Sequence, residues 1–240
     1  MINNNSDCPQ IDVNQMIAPK PPQPKEPLLP RIVSTVLHPL LMAVYGICLL
    51  FIYTDFRFIF AGQFIHFLAP IFLLSCCIPA SGIFFLYKIG MIKDLELTDR
   101  SERLFPFLIA LISYGLLFFY FYKAGLFIWF LAVLAAPLIL LIIGAIINLY
   151  WKISTHMMGI GGLIGSILSV CYNVKGINPY GLFIILFILA GSLGVSRLLL
   201  KRHTPAQVYA GFIIGVVISY LCVWIGANFT YLYFLFLMKF

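Results

Sequence analysis

Seven apolar runs, each close to the length of a membrane-crossing helix, constrain this chain more than any other feature. They cover residues 32–53, 64–87, 105–122, 126–149, 157–173, 180–200 and 206–225. About 20 apolar residues are needed to cross roughly 30 Å of hydrocarbon as a helix. The runs are apolar on every side, whereas the strands of a membrane barrel alternate polar and apolar residues. With 62% hydrophobic and only 10% charged residues, a water-soluble globular domain is excluded. The expected fold is all-α, a polytopic transmembrane helical bundle of about seven spans.

Residues 1–30 are of another kind. They are rich in Asn, Gln and Pro, and include the run Pro19-Lys20-Pro21-Pro22-Gln23-Pro24-Lys25-Glu26-Pro27. Such a segment buries too little apolar surface to fold, so a disordered, Pro-rich tail is expected, leaving 31–240 as the transmembrane domain. The tail has neither the basic start nor the apolar core of a signal peptide. Residues 226–240 are too short for a separate crossing, and are expected to prolong the last helix or lie at the interface. The cysteines show no metal-type spacing with histidine, so neither a metal nor a cofactor is expected.

With the spans set aside, the polar residues fall into three clusters: 93–103, 152–156 and 196–207. Each follows an even-numbered span, so all three emerge on one face of the membrane, as a single composite site requires. A Lys or Arg after a membrane helix is ordinarily a topological anchor, the simplest reading of Lys88, Lys152, Lys201 and Arg202. His38 and His66 have no basic companions and read as hydrogen bonders in helix packing, with His38-Pro39 marking a kink. His156 and His203 differ, because each opens an apolar run beside a hydroxyl or a cation. Ser154 or Thr155 is expected to cap the fifth helix, and Thr204-Pro205 to start the seventh. Gly161-x-x-x-Gly165 and Gly211-x-x-x-Gly215 lie just downstream and let two membrane helices approach closely. Packing along those faces would bring His156 and His203 together.

These residues resemble the three motifs of the type 2 phosphatidic acid phosphatase superfamily, integral membrane lipid phosphatases related to acid phosphatases and vanadium haloperoxidases. The first motif is Lys, six residues, Arg-Pro; here Lys93 and Arg100 keep the spacing and Ser101 replaces proline. The second is Pro-Ser-Gly-His, matched by Ser154 and His156. The third is Ser-Arg, five residues, His, three residues, Asp; Ser196, Arg197 and His203 match, and Gln207 stands in place of the acid. The resemblance covers about residues 93–215. It implies that His203 is the nucleophile, His156 the general acid, and Lys93, Arg100, Ser154 and Arg197 the phosphate ligands. Arg103 and Lys152 are auxiliary cations without a counterpart in the motifs. Gln207 would orient His203 by accepting its Nδ1 proton, without the charge of an acid, which implies slower chemistry or binding without turnover.

The expected function is therefore that of a membrane lipid phosphatase, hydrolysing a phosphomonoester or diphosphate on a lipid through a phosphohistidine. The alternative is a catalytically silent lipid-phosphate binder or scaffold of the same fold. Its partners would be membrane lipids and a phosphorylated lipid substrate. A prenyltransferase would need a second acidic motif for magnesium, and a transporter a charge in mid-span, and the sequence has neither. Eleven Lys and Arg lie on the face of the three clusters against four on the other, which places that face in the cytoplasm, with a bacterial inner membrane the expected location. The net charge of +7 follows the same anchoring logic and implies no nucleic acid.

Overall fold

The computed structural model describes residues 27–95 and 99–237; the side chains of Arg100 and residues 230–237 fall outside that description. The phosphate-binding role expected of Arg100, and the tail through residue 26, therefore lie outside the described residues. Within them, seven helical segments are long and apolar enough to cross a membrane: Leu28–Tyr53, Phe64–Lys88, Ser101–Lys123, Ile128–Tyr150, Thr155–Lys175, Tyr180–Leu199 and Pro205–Phe229. The fold is an all-α bundle, and the spans are numbered in this order. Helix begins at Leu28, before the expected domain boundary, with Pro30 in the first turn, where a missing N–H costs nothing. The last helix runs unbroken to Leu237, so the described residues past 225 prolong it.

The fifth span ends in a π-helical stretch over Val170–Lys175, and the first and second spans depart from a regular helix at prolines. The first stops at Val36, resumes as a short 3-10 turn over Pro39–Leu41 and continues as α-helix from Met42. His38 is extended there (φ −70°, ψ 139°), as the residue before a proline tends to be. In the second span Pro79 cannot donate to the Ser75 carbonyl, and a π-helical stretch over Leu73–Cys77 absorbs the mismatch. Ile78 N–H bonds Leu73 O in the π register, Leu74 O accepts from the Ser113 hydroxyl in place of an amide, and the Ser75 hydroxyl donates to Leu40 O of the first span at 3.4 Å.

The fifth span is the axis of the bundle: 72% of its most apolar window is buried, against 22 to 44% for the other six. Its glycines are the reason. A Cβ on Gly161 would stand 2.4 Å from the Phe212 carbonyl oxygen, and one on Gly165 would stand 2.3 Å from that of Val216. The seventh span answers in kind, since a Cβ on Gly215 would lie 2.4 Å from Met158 O. The two backbones therefore touch along their length, running parallel from the same membrane face. The opposite end is an aromatic plug around Phe56, which is wholly buried and stacks on Phe130 at 5.4 Å. Lys175 closes that end, ion-paired to Asp55 at 2.6 Å and lying over Trp129. Large apolar side chains such as Ile112, Ile184 and Ile188 point outward, as lipid contact requires.

Candidate functional site

Because the fifth and seventh spans start on one face, their first residues converge. The turn before the seventh span is built by the end of the sixth. Arg202 N–H bonds Arg197 O at 3.2 Å and Lys201 N–H bonds Leu198 O at 2.9 Å, the paired bonds of a Schellman end. The residue that must turn left-handed is Lys201 (φ 52°), where glycine is usual. This turn presents Arg202, His203 and Thr204 along the rim of an open recess of about 510 Å³.

Gln207 settles the chemistry of His203. Its Oε1 accepts from the Thr204 amide at 3.1 Å, closing half of a capping box at the start of the seventh span. A backbone N–H can only donate, so the amide atom at that point is oxygen. The same oxygen lies 3.1 Å from His203 Nδ1, which must therefore carry the proton. Neutral His203 then keeps its lone pair on Nε2. Burial first, and Arg197 next, push its pKa down to about 3, so the ring is neutral through the physiological range.

Around it stand four cations: Arg103, Lys152, Arg197 and Arg202. Arg103 and Arg197 are buried, and Arg197 Nη1 donates to Ser34 Oγ at 2.8 Å. Arg103 Nη1 donates to Ile153 O at 3.2 Å, fixing the loop that leads into the fifth span. Lys152 is held below its ordinary pKa by burial and then by Arg103, Arg197 and Arg202, with Asp99 opposing them. Asp94 acts on Arg103 and Asp99 on Lys152 from the same loop, so carboxylates balance part of this charge. Ser154 adds a hydroxyl. It is fully buried at the N-cap of the fifth helix, yet its Oγ caps no amide and has no protein partner. The expected capping bond from Ser154 is thus not made, and the hydroxyl and helix amides remain available to an acceptor.

The structure sorts the expected ligands unevenly. Arg197, Ser154, His156, His203 and Gln207 come together. Lys93 stands at the rim with its side chain 80% exposed, bonded to Asp99 at 3.3 Å and facing Glu102 at 3.8 Å. Those carboxylates, Asp99 foremost, raise its pKa. Arg103, in the same loop, is buried. Two further residues were missed by sequence reasoning. Ser34 holds Arg197 and also hydrogen-bonds His156 through its backbone. His38 packs edge-on against the His156 ring at 5.1 Å and 81°. His38 is thus more than a marker of the kink.

Below the polar cluster an apolar cavity of about 140 Å³ runs into the bundle from Pro39, Leu40 and Thr155 to Phe130 and Ser219. An apolar cavity of similar size accepts a molecule as large as benzene. Among the described residues no group of His, Cys, Asp and Glu could hold a metal ion. Comparison with family models, curated proteins and solved structures returns no match for this chain.

Proposed function

We propose that this protein is a membrane lipid phosphatase that removes phosphate from a phosphomonoester or diphosphate carried on a lipid, by way of a phosphohistidine at His203. The observation that carries the reading is the shared Gln207 oxygen, which leaves the lone pair of His203 on Nε2, in a ring that lines the recess beside Arg202 and feels the charges of Arg197, Arg103 and Lys152. In the first step Nε2 attacks phosphorus, the P–O bond to the lipid breaks, and His156 gives a proton to the leaving oxygen. Water then attacks the phosphohistidine, His156 takes the proton of that water, and the P–N bond breaks to return the lone pair to Nε2; the products are phosphate and the lipid alcohol from a phosphomonoester, or phosphate and the lipid monophosphate from a diphosphate. With one ring N–H of His156 given to the Ser34 backbone, its other nitrogen carries the transferred proton, and the negative charge of bound phosphate favours that form. Fixed cations stabilise the charge spread over the equatorial oxygens. The cavity leading away from Pro39 and Thr155 supports a chain-bearing substrate over a free phosphate ester.

The neutral Gln207 favours one other reading, a protein that binds lipid phosphate without releasing it, since no carboxylate balances the charge that grows on His203. The site faces the cytoplasm of a bacterial inner membrane on the charge count above. Phosphate release by detergent-purified protein from phosphatidate, phosphatidylglycerol phosphate and a polyprenyl diphosphate tests the proposal. Release from at least one of them, abolished by His203→Ala and reduced by about 2 to 4 kcal/mol in kcat/KM by Arg197→Ala, is the expected result. Release at the wild-type level from His203→Ala would refute the mechanism, and tight binding with no release from any lipid would establish the silent reading.

A further inference from the structure

The break in the first span places a third imidazole against the site. The His38 ring lies edge-to-face on His156 at 5.1 Å, and His38 also feels the charge of Arg197, the same guanidinium that Ser34 anchors from one helical turn earlier. Its own orientation is fixed by the backbone. The Leu40 amide donates to His38 Nδ1 at 3.3 Å, and an amide N–H can only donate, so Nδ1 is unprotonated and the neutral ring carries its proton on Nε2. Protonating Nδ1 would set two donors face to face. His38 is therefore held as a neutral hydrogen-bond donor, with nothing to gain by cycling its proton. Its backbone is extended inside a membrane span, where irregular chain is tolerated only if protein buries it or a cavity lies beside it. Here the next two residues, Pro39 and Leu40, line the apolar cavity. His38 thus sits where the cation cluster gives way to the apolar cavity, the place at which the head of a lipid phosphate would join its chain.

We propose that His38 is a further substrate-binding residue of the site, its Nε2–H donating to a phosphoryl oxygen at the junction of headgroup and chain while His156 handles the proton. This rests on the phosphoryl-transfer reading above and adds a residue outside the stretch that carries the motif resemblance. A neutral donor suits that position, because it strengthens as charge builds on oxygen and cannot compete with His156 as an acid.

Orthovanadate, which adopts the five-coordinate geometry of phosphoryl transfer, is the probe, and its binding is read as thermal stabilisation of the full chain in detergent. His38→Leu should weaken binding by about tenfold or more, as loss of a hydrogen bond to a charged group predicts. His38→Gln, whose amide N–H reaches the place of Nε2–H, should bind within about threefold of wild type. A purely structural His38 would lower the unfolding midpoint without vanadate and would not be rescued selectively by Gln. Should His38→Leu fail to fold, nitrogen NMR of histidine-labelled wild type decides, with the His38 signal assigned by its loss in His38→Gln. A vanadate-induced shift of the protonated Nε2 is expected. An unmoved signal, or a folded His38→Leu that binds like wild type, overturns the proposal while leaving the phosphatase reading intact. Wild type that binds no vanadate overturns the phosphatase reading and this inference with it.

Discussion

At the scale of single residues, the pairing of His203 with Gln207 makes the sharpest demands. Gln207 accepts two hydrogen bonds at once, from Thr204 N–H and from His203 Nδ1–H. Gln207→Leu would leave the buried His203 Nδ1–H unpaired and return the exposed Thr204 amide to solvent, so phosphate release should fall by about tenfold or more. Gln207→Asp keeps an acceptor and adds a charge, raising the His203 pKa and, if wild type is slow, the rate; initial rates of the three proteins check both. The pH dependence follows from the same ring. His203 is neutral when folded, with a pKa pushed down to about 3, and protonates near 6.5 when unfolded. Between those values the unfolded chain binds more protons, so stability present above about pH 6.5 is lost as pH falls toward 3. The thermal midpoint should therefore drop between pH 7.5 and pH 5, and drop less in His203→Gln, which has no proton to bind. Equal drops in the two proteins would contradict the buried, neutral ring.

At the scale of elements, the contact of the fifth and seventh spans positions the chemistry. Backbone approach this close is possible only where the position facing the carbonyl lacks a Cβ, as Gly161 and Gly165 do against Phe212 and Val216 and Gly215 does against Met158, and it carries Ser154 and His156 to the level of His203 and Gln207. Gly215→Leu would drive a side chain into Met158 O and the Gly162 amide, with backbone on every side and nowhere to shift. Overpacking of this kind costs about 1 to 3 kcal/mol, and the forced separation should also abolish vanadate binding. Gly181→Ala supplies the control, since a Cβ there meets nothing within 4 Å and the position lies on the sixth span. It should match wild type in thermal midpoint and in vanadate binding. Parallel loss in both variants would mean that membrane insertion, and not the interhelical contact, had been damaged.

At the scale of the whole molecule, the bundle is polar at one end and aromatic at the other. The site end gathers Arg103, Lys152, Arg197 and Arg202, and the far end is closed by the Phe56 cluster and the Lys175–Asp55 pair. That polarity makes the topology testable. In a background without native cysteines, Lys201→Cys should react with an impermeant thiol reagent only from the cytoplasmic side, and Asn178→Cys only from the other, since both positions are exposed loop residues separated by the sixth span. Labelling of both from one side would remove the sixth crossing, and labelling with the sides exchanged would place the site outside the cell membrane. An external site would confine its substrates to the outer leaflet.

How much of this was legible in the chain depends on the range of the forces involved. Span number and position follow from apolar length, a local property, and the seven helices lie within a few residues of the seven runs. The shared face of the three clusters follows from counting crossings, and the close packing of spans five and seven from glycine spacing. In the sequence Gln207 reads only as the acceptor for His203; its cap on the Thr204 amide comes from the structure, although Thr204-x-x-Gln207 is a local capping-box pattern. Which cations turn inward was not a local matter. Lys93 and Arg103 share one polar loop, and only the folded chain shows Asp99 and Glu102 holding Lys93 at the rim while Arg103 reaches the Ile153 carbonyl. Nor could sequence pair Ser34 with Arg197, 163 positions apart, or set His38 against His156. Local sequence dictates where a helix starts, breaks and enters the membrane, because those choices are made by hydrophobicity and backbone chemistry over a few turns. The partner of a buried polar side chain is chosen by whichever distant segment packs beside it, and that is decided only when the bundle closes.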